Sequence, residues 1–99
     1  MLNQVLLVGR LFEDPIIEEE NTSFILVVPN YEKNKDGEHE TDFIKCLVSK
    51  KISNAISEYC EKGSVIGVRG RLKSILGENN NYYVEVMAEK VTFLSAKSK

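Results

Sequence analysis

Apolar and polar positions alternate with a period of two along most of the chain, and the pattern gives way once to a helical period. The opening NQVLLVGRL, residues 3–11, is rich in aliphatic and β-branched residues and predicts a buried strand, with Gly9 marking a bulge or sharp bend. Glu13-Asp14-Pro15 turns the chain, and Ile16 and Ile17 add a brief extension before the acidic EEEN of residues 18–21. TSFILVVPNY, residues 22–31, predicts a second strand, with Phe24, Leu26 and Val28 on one face and Ile25, Val27 and Tyr31 on or near the other. Pro29 cannot donate to a ladder, so this strand is expected to be at an edge or to end there. The polar residues 32–40 centre on Asp36-Gly37, a hairpin signal, and predict a long loop.

The return strand, DFIKCLVS at 42–49, sets Ile44, Cys46 and Val48 on one face and Phe43, Lys45, Leu47 and Ser49 on the other. Ile52, Ala55, Ile56, Tyr59 and Cys60 then repeat as the stripe of a helix lying on a core over 50–62, with Ser49 as N-cap and Gly63 as C-terminal cap. SVIGVRGRLKSI, residues 64–75, predicts a strand that Gly67 and Gly70 allow to curve, with Arg69, Arg71 and Lys73 on one face. The turn GENNN leads into a last strand over 82–94. One helix bridging two strands, with β patterning on both sides, predicts a mainly β fold: a five-stranded Greek-key barrel with one α-helix between strands 3 and 4. The expected domain covers residues 1–94, and SAKSK at 95–99 is expected to be a short disordered tail.

Composition narrows the function classes. The 99 residues allow one domain with one core, and their 42% hydrophobic and 28% charged content is ordinary for a globular chain. There is no apolar run of membrane-spanning length and no secretory signal pattern, so the expected location is the cytoplasm, with no membrane partner. Cys46 and Cys60 read as small core residues; without a histidine partner they make no zinc site, and His39 reads as solvated surface. No nucleophile and base pair and no carboxylate cluster stands out, so neither an enzyme nor a cofactor is expected. The net charge of −2 is unevenly spread: residues 1–30 carry one Arg against five acids, whereas residues 60–99 carry seven Lys and Arg against four acids. Charge on one face governs binding more than the sum does, and affinity for a polyanion is expected to be sensitive to salt.

A curved sheet of this kind offers an outer wall for an extended polymer. Unpaired bases stack on aromatic rings, and phosphates require Lys or Arg nearby. Tyr31, Phe43, Lys45, Arg69, Arg71 and Lys73 supply both in outline. All but Lys45 have a plainer alternative: Phe43 as a core residue at a barrel end, Tyr31 as a ring capping the hairpin, and Arg69, Arg71 and Lys73 as a solvated face or as partners of Glu85 and Glu89. Tyr82 and Tyr83 alternate, so one of the two is expected to point inward.

The opening LNQVLLVGRLFEDP, and TDFIKCLVSKKISNAISEYCEKGSVIGVRGRL with its YCEKGS run, resemble the bacterial single-stranded DNA-binding protein family over residues 1–94. The resemblance implies an oligonucleotide-binding (OB) barrel, commonly a homotetramer, that coats single-stranded DNA without sequence preference in replication, recombination and repair, associated with the nucleoid. It implies base-stacking roles for Tyr31 and Phe43, and strand-facing roles for Arg10, Lys45, Arg71 and Lys73. Two further positions where the family places rings fall at Ser49 and near Gly77, and neither offers one. The family continues into a Gly- and Pro-rich tail with an acidic tip that recruits replication and repair enzymes; such recruitment is not expected from this chain. Two other readings compete: an accessory protein resembling primosomal replication protein N, separable by a dimeric state, and a protein-interaction barrel with no nucleic-acid role, separable by an oligothymidine titration.

Overall fold

Strand alternation translates directly into a closed sheet. The computed structural model describes residues 1–19 and 21–95. The elements are β1 (Val5–Leu11), β2 (Ile16–Ile17), β3 (Asn21–Lys33), β4 (His39–Ser49), α1 (Lys50–Tyr59), β5 (Val65–Leu76) and β6 (Tyr82–Phe93). The sheet runs β1-β5-β6-β4-β3-β2, and β1 also pairs with β3, which closes five strands into a barrel and leaves the two-residue β2 as a short ribbon on β3. Among the described residues all pairings are antiparallel except β4 with β6. The parallel pairing is possible because α1 and β5 lie between those strands in the chain.

The inward residues of each strand meet in one core. Leu11, Phe24, Leu26, Cys46, Val48, Ile66, Val68, Val86 and Ala88 are buried there with Ile56 and Cys60 from α1 and its C-cap. The helix packs against β3, β4 and β6, and the hydroxyls of Thr22 and Ser53 share a buried hydrogen bond that satisfies both polar groups at that contact. Cys46 and Cys60 are both buried and form no disulfide, and burial pushes the Cys46 thiol up to about 12, so it stays protonated and unreactive at neutral pH. Gly9 has a packing reason: a Cβ there would run into the Val27 carbonyl and stand 2.9 Å from the Leu26 side chain, where β1 crosses from β5 to β3.

Several expectations are revised. Pro29 does not end β3. It lies past Val27, the last β3 residue paired with β1, so among the described residues β3 there is laddered to β4 alone and has an open edge, as expected of a proline position; the strand runs on through a register shift to Lys33, and the loop shrinks to residues 34–38. There the Asn34 side-chain oxygen accepts from the Asp36 and Glu38 amides while Gly37 takes φ +80°. The helix stops at Tyr59, sooner than the apolar stripe suggests, because Cys60 is already extended (φ −122°). Gly63, at φ +89°, instead shapes the turn into β5, where its amide donates to the Leu11 carbonyl. Ser49 holds the N-cap position without a side-chain capping bond. The tail predicted for 95–99 lies, from residue 96 on, outside the described residues.

Candidate nucleic-acid interface

The outward residues of the same strands form the candidate surface. Register places Arg10 opposite Val27, and Val27 opposite Phe43, so one row crosses β1, β3 and β4. The Arg10 guanidinium reaches the Gly63 carbonyl at 3.3 Å, which steadies a cation at the end of that row. Phe43 is 60% exposed, which rejects the alternative of a core residue at a barrel end. Its ring meets that of Phe12 edge to face, with centroids 5.2 Å apart and planes at 82°. Phe12 was not among the expected residues. Its signal lay in the alternation of β1, whose even positions Leu6, Val8 and Arg10 all face outward, leaving an aromatic next in the series.

The following row joins β4, β6 and β5. Lys45 lies 3.4 Å from the Glu85 carboxylate, and Glu85 sits opposite Lys73 in the register. Arg71 is opposite Met87, which is opposite Leu47. Glu85 thus pairs with Lys45 of β4, which sequence could not indicate, and both Arg71 and Lys73 remain exposed. The result is a strip of aliphatic and aromatic side chains edged by Arg10, Lys45, Arg71 and Lys73.

The remaining candidates stand apart. Tyr31, 97% exposed, is carried on the β3–β4 hairpin beyond Pro29, so its ring is open to a ligand but away from the Phe43 row. Arg69 shares its strand face with Arg71 yet lines a shallow depression with Leu6, Val8, Lys90 and Thr92, on the β1 side of the sheet. Neither Tyr82 nor Tyr83 points into a core, contrary to expectation: both are exposed, because the β5–β6 hairpin extends past the barrel as an arm in which Leu76 faces Tyr82 and Ile75 faces Tyr83. Among the described residues no group of His, Cys, Asp and Glu is arranged to hold a metal ion, and no helix is long and apolar enough to cross a membrane.

Comparison with known proteins agrees with this geometry. The "Single-stranded DNA-binding protein B" of Bacillus subtilis is 37% identical over 108 residues, covering 100% of this chain and 96% of that protein. The "Single-stranded DNA-binding protein" of Halalkalibacterium halodurans is 40% identical over 98% of this chain, which spans only 63% of that relative's length. Among solved structures, "Plasmodium falciparum SSB complex with ssDNA" superposes with a TM-score of 0.79 over 96% of both chains at 22% identity, which establishes a shared OB-type barrel. A profile of the single-strand binding protein family matches residues 2–94. The family acts by binding rather than by catalysis, and the chain belongs to it: this is a member of the single-strand binding protein family.

Proposed function

We propose that the chain binds single-stranded DNA without sequence preference, covering and protecting it in replication, recombination and repair in the cytoplasm, at the nucleoid. The observation that carries this reading is the exposed Phe12 and Phe43 ring pair set on a curved wall between Arg10, Lys45, Arg71 and Lys73. Every base has a π-face, so rings and aliphatic side chains grip any sequence, while cations at the margins meet phosphates. Tyr31 adds a ring from the hairpin, and Arg69 a cation at the margin. Duplex DNA keeps its bases stacked inside and gains only the phosphate part of this interaction.

Fluorescence anisotropy with a labelled oligothymidine, its duplex counterpart and a salt series tests the reading. Tight binding of the single strand with a linear fall of log K in log salt is expected; absence of binding at low salt overturns it. Arg71→Ala is expected to lower affinity and to flatten that slope by about 1, as loss of one phosphate contact does. An unchanged slope would remove Arg71 from the phosphate path.

The same reading includes a homo-oligomer, a tetramer by family resemblance, with a dimer as the alternative. Among the described residues β1 pairs with β3 only at Arg10 and Leu11, so the edge of its first residues that faces away from β5 is open. Beside that edge the outer face exposes Leu6 (70%) and Val8 (57%), apolar surface that a second copy would bury. Light scattering of the native chain is expected to give a multiple of 11.2 kDa. Leu6→Glu with Val8→Glu is expected to lower that mass, and a monomeric native chain would overturn this part of the reading.

A further inference from the structure

We propose that Tyr83 is a further base-stacking platform of this interface, bedded against Gly77, so that bound DNA runs from the Phe43 row onto the β5–β6 arm. The inference rests on the single-strand-binding reading above and extends it to a residue outside the barrel wall.

Register carries it first. β4 and β6 are parallel, with Cys46 opposite Val86, and the ion pair of Lys45 and Glu85 lies one residue earlier on both strands. Phe43 and Tyr83 each stand two residues before that pair, so both belong to the outer face of their strands. On β5, Tyr83 is opposite Ile75, and the next outward position is Lys73. A ring on β4, a cation on β5 and a ring on β6 therefore follow one another along the same side of the sheet.

Gly77 carries it second. A Cβ at that position would collide with the Tyr83 ring, standing 2.7 Å from Cδ2 and 3.3 Å from Cζ. The ring fills the space that any side chain at 77 would need, and glycine is what lets it lie against the backbone. Yet Tyr83 remains 56% exposed. A ring backed on one side and open on the other loses little rotamer freedom when a base stacks on it. Tyr82 offers the control, because it faces the opposite side of the arm, opposite Leu76.

The test compares Tyr83→Leu, Tyr83→Phe, Gly77→Ala and Tyr82→Leu with the native chain in oligothymidine anisotropy. Tyr83→Leu is expected to weaken binding roughly 5- to 150-fold, the factor that one base stack represents, whereas Tyr83→Phe and Tyr82→Leu keep native affinity. Gly77→Ala, which dislodges the ring without removing it, is expected to weaken binding in the same direction. Native affinity in Tyr83→Leu, or an equal loss in Tyr82→Leu, overturns the proposal, while failure of the native chain to bind overturns the parent reading instead. Should Tyr83→Leu unfold, photo-crosslinking of the native chain to an oligonucleotide bearing 5-iodouracil decides: adducts at Tyr83 support the platform, and adducts at Phe43 without any at Tyr83 overturn it.

Discussion

Phe43→Ala is expected to weaken oligothymidine binding by about 1–3 kcal/mol, with the melting temperature little changed. The side chain points out of the barrel, opposite Val27 and against Phe12, so its removal opens no cavity in the core. What disappears is a flat apolar surface between two cations, together with the edge contact that orients Phe12. Aromatic pairs of this kind contribute about 0.5–1.5 kcal/mol beyond burial, so part of the loss reflects a Phe12 ring freed to rotate. Anisotropy titration beside a thermal melt checks both halves. Native affinity in a folded variant would exclude Phe43 from the interface.

Phe24→Ala is expected to give the opposite phenotype. Phe24 is fully buried, opposite Cys46 in the register and facing inward in the same β3–β4 ladder that turns Phe43 outward. Deleting a buried phenylalanine costs about 3–5 kcal/mol through lost burial and the cavity left behind. Domains of this size are stable by only about 5–15 kcal/mol, so much of the margin goes. Urea denaturation is expected to show the midpoint fall sharply, while the fraction still folded binds DNA as the native chain does. A loss under about 1 kcal/mol would mean that the cavity collapses, and that the barrel is softer than its interlocked core implies.

The contrast between these phenylalanines shows how far alternation reaches. Phe24 with Leu26 and Val28, and Ile44 with Cys46 and Val48, were sorted to one face by period two alone, and in the barrel that face is the inner one, each residue being buried or half-buried. Phe43 and Lys45 fell on the other face for the same reason. Phe12 lies one residue past Leu11, the last residue of β1, and so outside the alternating run that defines the strand. The two tyrosines misled because alternation assumes a core beneath the strand, and beneath the β5–β6 arm there is none. Pro29 marked an edge rather than an end, because among the described residues the strand past Val27 keeps β4 as a ladder partner and has none on its other side.

Local patterning settles which side chains share a face, where the helix lies, and that a ring and a cation share one face of β4 while cations line one face of β5. These are local properties, set by the geometry of one strand or one helical turn. Which faces adjoin is set by the assembled barrel. It brought Glu85 to Lys45 across a parallel pairing, set Phe12 against Phe43, and laid the Tyr83 ring over Gly77. Barrel closure depends on which strands neighbour one another and in what register, and neither is encoded in the period of any single segment.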